Sequence, residues 1–337
     1  MQNMKKLMLI GLALVIACGF AFAEGGQETD EAMPGGSVDG TGYTLGLCML
    51  GMNAPYYAGM VAGFEAECDA AGAGAIVTDA QWVMEKQVSD FEDLLSKGVD
   101  AIVLNPLDPV ALVPLTKRAS AEGVPVFVID SGISDDAAYV SRIASDSPNN
   151  GQLLGQWLVG ELDDEAINVV VMSGSRGSLE GKTRRLNFIA GAIEAQMKSM
   201  NHSNFNVVSQ AWGGWAHEGG LSAMEDVLVA HAGEFNVLFA ENDAMALGAL
   251  RAIEEEGFED EVIVMAVDGQ REAFERIQAG EYDATAINNP NLLASTAVDF
   301  ALRYLSGEQD LPKQYRTPPA VITIDNVDEY YDPNSVF

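Results

Sequence analysis

Short apolar segments of strand length alternate with segments of helical spacing over most of the sequence after Gly42. The strand-length runs are Leu45–Leu50, Ala75–Thr78, Ala101–Leu104, Val124–Ile129, Ile167–Met172, Phe205–Val208, Val237–Ala240, Val262–Ala266 and Ala284–Ile287. Between them, apolar residues recur every three or four positions, as at Met84, Val88 and Phe91. This alternation predicts parallel sheets covered by helices on both faces. A chain of 337 residues is long enough for two such doubly wound α/β units.

The first 23 residues have the anatomy of a secretory signal. Lys5 and Lys6 precede a 17-residue apolar run, Leu7–Ala23, which is short for a membrane span and is followed at once by polar sequence. Ala21-Phe22-Ala23 fits ordinary cleavage, whereas Val15-Ile16-Ala17-Cys18 resembles a bacterial lipoprotein box in which Cys18 is lipidated. The sequence does not decide between ordinary cleavage and lipidation. Either one places the mature protein outside the cytoplasmic membrane.

The composition and charge of the chain exclude several classes of function. Residues 24–42 are rich in Gly, Glu, Asp and Ser and predict a flexible leader. The whole chain carries a formal charge of −32, which repels phosphate backbones and argues against nucleic-acid binding. The acidity fits either a high-salt habitat or an ordinary acidic secreted protein. Three Cys and three His are too few for a zinc framework or a disulfide scaffold.

Polar side chains follow four of the predicted strands. They come after the strands that end at Ile129, Ala240, Ala266 and Ile287, and they are Asp130, Asn242, Asp268 and Asn288. In open parallel sheets, ligands bind beyond the carboxyl ends of the strands. Aromatic residues occupy comparable loops, namely Tyr56, Tyr57, Trp212 and Trp215. Flat apolar faces bordered by fixed donors and acceptors suit a ligand that carries vicinal hydroxyls.

These segments resemble the periplasmic sugar-binding proteins of ABC importers, of the ribose- and galactose-binding type. The strongest matches are Ala240–Leu250 and Val267-Asp268-Gly269, supported by Gly98–Pro106, Val124–Asp130 and Ile143–Asp146. Their order along about 280 residues makes the resemblance specific. It implies a class I periplasmic binding protein fold: two doubly wound, Rossmann-like lobes joined by a three-crossing hinge. It also implies a non-enzymatic receptor for a sugar or polyol.

The resemblance carries ligand-binding roles onto individual positions. Asn242, Asp268 and Asn288 match polar positions that bind sugar hydroxyls, and Asp130 stands where the family has Asp or Asn. Trp215 and Tyr56 match the aromatics that cover opposite faces of the sugar. Tyr57 is the neighbouring aromatic, for which packing and ligand contact are both open. Lys182 falls where the family usually has an Arg, with Arg184 as the substitute, and Ser131 follows Asp130 where an Arg is usual. Asp243 is expected to cap the following helix, and Trp212 to lie at the rim of the site.

Two departures from the family pattern leave the identity of the ligand undetermined. Ala54 and Ser131 replace polar contacts of the family, so neither ribose nor galactose is implied. The galactose-type calcium loop is absent, because Gly160–Glu165 is short and lacks alternating oxygen ligands, and we expect neither a metal nor another cofactor. Cys48 and Cys68 are expected in the core of a strand and of a helix, with a bridge between them as the alternative.

Some of the same residues could also serve other functions. Ser173–Gly177 resembles a phosphate-cradling loop but lacks the Lys-Ser/Thr ending, so a plain loop is the simpler interpretation. Asp130 and Asp268 could instead be the paired carboxylates of a carbohydrate-active hydrolase. A sensor, a chemotaxis receptor or an autoinducer receptor of the same fold is a further alternative. A transcriptional repressor is excluded, because a signal segment stands in place of a DNA-binding motif.

The sequence thus predicts a monomeric periplasmic receptor, lipid-anchored if Cys18 is modified, that delivers a small neutral polyhydroxylated ligand to an ABC permease. The first lobe is expected at 43–145 plus 289–318. The second is expected at 146–288 plus 319–337.

Overall fold

The computed structural model describes residues 38–162 and 165–337, except for the side chain of Asp260. The proposed signal segment, its Cys18 and the leader up to residue 37 lie outside the described residues. The last part of the expected leader is packed against the body of the protein. Val38 contacts the core of the first lobe, and the Gly40 amide donates to the Ala71 carbonyl.

The described chain contains two six-stranded sheets. The strands are β1 (Thr44–Met49), β2 (Gly74–Asp79), β3 (Ala101–Leu104), β4 (Val126–Ile129), β5 (Arg142–Ser145), β6 (Ile167–Ser173), β7 (Phe205–Trp212), β8 (Val237–Ala240), β9 (Ile263–Asp268), β10 (Ala284–Ile287), β11 (Gln314–Thr317) and β12 (Val321–Ile322). The first sheet has the order β11-β5-β4-β3-β1-β2, and the second has the order β12-β10-β9-β8-β6-β7. All neighbouring strands are parallel except β12, which runs antiparallel to β10. The prediction of two doubly wound α/β lobes is confirmed.

Helices cover both faces of each sheet. They are α1 (Pro55–Ala71), α2 (Met84–Lys97), α3 (Val113–Ala121), α4 (Ser147–Leu162), α5 (Leu179–Met200), α6 (His217–His231), α7 (Asp243–Glu256), α8 (Arg271–Ala279) and α9 (Pro290–Leu305). Alternate residues of each strand enter opposite cores. Leu47 of β1 packs beneath α1 and α9, whereas Cys48 packs on the side of α2 and α3. This explains why the central strands of each sheet are nearly continuous apolar runs.

The described chain passes between the two sheets at three places. It does so after β5 at Asp146, after β10 at Asn288 and Asn289, and between β11 and β12. Helix α9 therefore packs against α1 of the first lobe, although the strand before it belongs to the second sheet. The carboxyl ends of the parallel strands of both lobes lie next to these crossings. None of the described helices is both long and apolar enough to span a bilayer.

The two described cysteines are buried and unbridged, as expected of core residues. Cys48 and Cys68 belong to separate hydrophobic clusters of the first lobe. The alternative of a disulfide between them is therefore wrong. The physical reason is that Cys48 points to the α2 and α3 side of the sheet, whereas Cys68 lies on α1 with the opposite core.

Candidate ligand-binding site

A hydrogen-bonded chain of side chains connects the two lobes at the carboxyl ends of their strands. The Tyr56 hydroxyl, on the first turn of α1, lies 2.9 Å from Asp130 Oδ1 and 3.1 Å from Asn288 Oδ1. Asn288 Nδ2 then donates to Asp268 Oδ1 at 2.9 Å. The same oxygen accepts from Arg184 Nη1, also at 2.9 Å. The structure thus brings together five residues that are far apart in the sequence.

Arg184 is the buried cation of this cluster. Its side chain is only 4% exposed, and Nη1 also donates to the Glu241 carbonyl at 2.7 Å. Its Nε has no hydrogen-bond partner among the described residues, although Glu180 Oε1 lies 3.7 Å away. Burial alone would lower the pKa of Arg184, but the nearby carboxylates, Asp268 first, outweigh burial and raise it. Arg184 therefore stays charged and holds a spare donor.

The two acidic residues of the cluster are harder to ionise than usual. Burial raises the pKa of Asp268 to about 6, while Arg184 acts in the opposite direction. Burial, followed by the charge of Glu180, also raises the pKa of Asp130. A carboxylate in such a place is stabilised by any donor that a ligand adds, because its own desolvation is incompletely compensated.

Three residues of the site have left-handed backbone conformations that favour glycine. The φ angles are 59° at Asp130, 66° at Trp215 and 136° at Asp268. Such conformations cost on the order of 1–3 kcal/mol and persist only where the surroundings enforce them. At Asp130 the enforcement includes Arg142, whose Nη2 donates to the Asp130 carbonyl at 2.9 Å.

Trp215 lies against a floor made of glycine. A Cβ at Gly174 would overlap the indole ring, so the ring rests directly on the backbone after β6. Glu241 supports this floor: its Oε2 accepts from the Gly174 amide at 2.9 Å, and its Oε1 accepts from Arg185. The Trp215 carbonyl accepts from Asn242 Nδ2 at 3.3 Å. The indole is half-buried, which leaves part of its surface free to contact a ligand.

Asn242 is the N-cap of α7, and the expectation that Asp243 has this role is wrong. Asn242 Oδ1 accepts from the Met245 amide at 3.1 Å. Asp243 is the first residue of the helix and is completely buried. Its Oδ2 accepts from the amides of Gly269 and Gln270, at 2.7 and 2.8 Å. The sequence could not separate the two roles, because Asn and Asp are equally good caps.

The other candidate residues lie around the cluster. Tyr57 packs edge-on against Tyr56 and Trp82, with ring centroids 5.3 and 5.4 Å apart. Ser131 is half-buried, and its carbonyl accepts from Arg142 Nε at 3.4 Å. The structure does not bring Lys182 into the cluster, because its side chain is exposed on the outer side of α5.

Trp212 is the last residue of β7, and Arg176 lies 5.1 Å from the centre of its ring. Trp212 is half-buried and Arg176 is exposed, which is consistent with a rim position.

The profile of the family described as "Periplasmic binding protein domain" matches residues 45–309. The chain belongs to this family. The ribose import binding protein RbsB of Bacillus subtilis (strain 168) is 29% identical over 303 residues, which are 90% of this chain and 93% of the relative. The predicted resemblance is confirmed.

Solved periplasmic binding proteins share the fold of this chain. One from Actinobacillus succinogenes 130z with bound D-allose has a TM-score of 0.76 and 26% identity, covering 86% of this chain and all of its own. One from Bacillus halodurans C-125 with bound myo-inositol has a TM-score of 0.76 and 26% identity, covering 87% and 98%. These relatives are binding proteins rather than enzymes. The comparisons do not favour the hydrolase, sensor or autoinducer-receptor alternatives.

One residue of this periplasmic binding protein was not singled out from the sequence, although its position resembles that of the others. Asn105 follows β3, is completely buried, and has its Nδ2 3.5 Å from Asp130 Oδ2. Its Oδ1 has no partner among the described residues. The available signal was an amide directly after an apolar strand, in Asn105-Pro106. A buried acceptor without a donor beside Asp130 fits a hydroxyl of a ligand.

Proposed function

We propose that this periplasmic binding protein captures a neutral sugar or polyol between its lobes and delivers it to an ABC permease. The observation that carries the proposal is the chain of hydrogen bonds from Asp130 through Tyr56, Asn288 and Asp268 to Arg184. These groups come from both lobes. Each of them can replace its hydrogen bond to another member of the chain by a hydrogen bond to a hydroxyl of the ligand.

The polar groups match what a polyhydroxylated ligand offers. Asp130 and Asp268 are acceptors, Arg184 is a donor, and a sugar hydroxyl both donates and accepts. Bonds to charged groups contribute about 1.5–3 kcal/mol each, roughly twice the contribution of neutral ones. Trp215 and Tyr56 add flat apolar surfaces suited to the C–H faces of a sugar ring. The spare Arg184 Nε and Asn105 Oδ1 supply one further donor and one further acceptor.

The charges favour a neutral ligand over an anionic one. Asp130, Asp268 and the half-buried Glu180 bring three acidic groups near the buried guanidinium of Arg184. A phosphate or carboxylate on the ligand would meet these acids in a partly desolvated site, where like charges are costly. Sugar phosphates and sugar acids are therefore expected to bind far more weakly than the parent sugars.

Ligand capture is coupled to closure of the lobes. A ligand that touches residues of both lobes stabilises the closed form by its differential affinity for that form. We place the lobes at 43–145 plus 289–318 and at 146–288 plus 319–337, with the hinge at the three crossings. A permease reading the closed form would be the partner of a monomer without catalytic activity. The protein would lie in the periplasm, anchored by a lipid if Cys18 is modified.

A thermal-shift panel on the protein without residues 1–23 tests the proposal. The panel contains pentoses, hexoses, deoxy-sugars and polyols, with sugar phosphates as charged counterparts. A ligand at ~1,000 times its dissociation constant adds about 4 kcal/mol to the free energy of unfolding and raises the melting temperature clearly. Asp268→Asn is expected to weaken binding and to reduce the shift strongly. The matched control, Asp226→Asn on the exposed side of α6, is expected to leave the shift unchanged.

Two outcomes would contradict the proposal. One is a folded protein that no neutral sugar or polyol of the panel stabilises. The other is a ligand shift of equal size in the parent and in Asp268→Asn, which would place the ligand elsewhere.

A further inference from the structure

The last residues of the chain leave the second lobe and end against the first. Tyr331 packs on the core of the second lobe, and its hydroxyl donates to Glu275 of α8 at 3.2 Å. Four residues later, the Ser335 carbonyl accepts from Arg271 Nη1, also of α8, at 2.5 Å. The tail is therefore held by the second lobe as far as Ser335.

Phe337 lies against helix α1 of the first lobe. Its side chain is buried, with 7% exposed, and its ring meets that of Tyr56 edge-on at 5.4 Å between centroids. Gly59 makes room for it, because a Cβ at Gly59 would lie 2.9 Å from the Phe337 Cβ. The preceding residue, Val336, is 55% exposed. Of these two neighbouring apolar residues, only Phe337 is inserted.

We propose that Phe337 is a positioning residue for the ligand-contacting Tyr56, and that residues 335–337 form a strap between α8 and α1. As far as it concerns ligand affinity, the proposal rests on the proposed function.

The argument for positioning starts from the two ends of the Tyr56 side chain. Its ring edges contact Phe337 and Tyr57, and its hydroxyl bridges Asp130 and Asn288. The Tyr56 hydroxyl carries one proton, and it stays within hydrogen-bond distance of both acceptors only over a narrow range of side-chain torsions. Loss of the Phe337 ring would leave one side of Tyr56 unpacked. The ring could then turn, and the hydroxyl would leave one of its two acceptors.

The argument for a strap follows from where its two ends are attached. Arg271 belongs to the second lobe, and Tyr56 and Gly59 belong to the first. A hinge opening that moves α8 away from α1 must break the contact to Ser335 or withdraw Phe337. Only one residue, Val336, separates Ser335 from the buried Phe337, so the tail has little slack. The strap therefore favours the closed arrangement over the open one.

The first experiment needs no ligand. Phe337→Ala and Val336→Ala are compared with the parent by amide hydrogen exchange and by small-angle X-ray scattering. Phe337→Ala is expected to speed exchange in the first two turns of α1 and to increase the radius of gyration. Val336→Ala, which removes a similar apolar side chain one residue earlier, is expected to change neither. Equal behaviour of the two variants would overturn the strap.

The second experiment separates positioning from general stability. Dissociation constants and dissociation rates are measured with D-ribose and myo-inositol for the parent, Phe337→Ala, Tyr56→Phe and the double variant. Phe337→Ala is expected to weaken binding about two- to tenfold, mainly through faster dissociation. In the Tyr56→Phe background, where no hydroxyl remains to be positioned, it is expected to have almost no further effect. Phe337→Leu, which retains the apolar volume, should restore part of the affinity.

The same loss of affinity from Phe337→Ala in both backgrounds would overturn positioning. If neither probe binds the parent, the proposed function fails for these ligands. The exchange and scattering comparison then still decides whether the strap exists, so the two failures are distinguishable.

Discussion

Replacing Asp243 by alanine is expected to cost the protein a large part of its stability. The carboxylate is completely buried and accepts four hydrogen bonds. The Gly269 and Gln270 amides donate to Oδ2, and the Tyr282 and Thr285 hydroxyls donate to Oδ1 at 2.9 and 2.7 Å. These bonds fix the turn that follows Asp268, so Asp243 connects helix α7 to the ligand-binding edge of β9.

The expected loss of stability follows from the hydrogen-bond donors that lose their acceptor in Asp243→Ala. In Asp243→Ala the Gly269 amide keeps a second acceptor, Thr285 Oγ1 at 3.3 Å. The Gln270 amide and the hydroxyls of Tyr282 and Thr285 lose their partner. At about 1–3 kcal/mol for each of these three unpaired donors, the loss is on the order of 3–9 kcal/mol, and it falls toward the lower end because water reaches the half-buried Gln270. Tyr282→Phe removes one donor without orphaning the carboxylate and should cost only about 1 kcal/mol.

The pH dependence gives a second, independent measure. Burial, followed by the charge of Asp268, raises the pKa of Asp243 to about 7 in the folded protein. The folded state therefore holds a proton that the unfolded state releases near pH 4. The stabilisation from this group is fully present below that pH and is lost as the pH rises toward 7. Asp243→Asn, which does not titrate, should lose this dependence, a difference of up to about 1.4 kcal/mol per pH unit.

Urea unfolding at pH 4.5, 6 and 7.5 measures both effects. Asp226→Ala, on an exposed position of the same lobe, serves as the control and should stay within about 0.5 kcal/mol of the parent. A cost below about 1 kcal/mol for Asp243→Ala would refute the hydrogen-bond argument. An unchanged pH slope in Asp243→Asn would refute the assignment of the titrating group.

Three further predictions concern the site and the cysteines. Because the pKa of Asp268 is raised to about 6 and its ionised form accepts from the ligand, sugar affinity measured by calorimetry should fall about tenfold from pH 7 to pH 5, and Asp268→Asn should lack this change. Asn242→Ser keeps a capping oxygen but loses the amide that contacts Trp215, so it should weaken sugar binding at nearly parental melting temperature. Asn242→Ala should also lose about 1 kcal/mol of stability, and equal melting temperatures of the two variants would contradict the cap. Burial raises the pKa of Cys48 and Cys68 to about 12, so neither thiol should react with iodoacetamide at pH 8 unless the protein is unfolded.

Much of the sheet architecture could be predicted from local sequence. The runs at β3, β8 and β10 match the observed strands residue for residue, because strands buried on both faces are continuous apolar segments. Strands β5 and β11 were not predicted as strands. Arg142–Ser145 lies between β4 and β11 and is largely buried, but it holds only two apolar residues and is too short to stand out as an apolar run. Gln314–Thr317 is polar because it lies at the edge of the first sheet, where less apolar surface is required. For the same reason β7, at the edge of the second sheet, extends through polar residues to Trp212.

The N-cap of α7 and the position of the C-terminal tail show what local sequence patterns could not predict. Asn242-Asp243 offers two good capping residues in succession, and only the buried donors from β10 and the turn after β9 decide which one faces inward. Phe337 has no local signal at all. Its contact with Tyr56 joins two residues that are 281 positions apart in the sequence.

The sequence by itself determined the alternation of strands and helices, and it determined that polar residues follow the strands, because both depend on periodicity and on the chemistry of adjacent positions. The tertiary structure decided which of those residues meet. It selected Arg184 rather than Lys182 for the buried position beside Asp268, it placed Asn105 beside Asp130, and it paired Tyr56 with acceptors from both lobes. These choices depend on distances between segments far apart in the chain, which a local pattern does not encode.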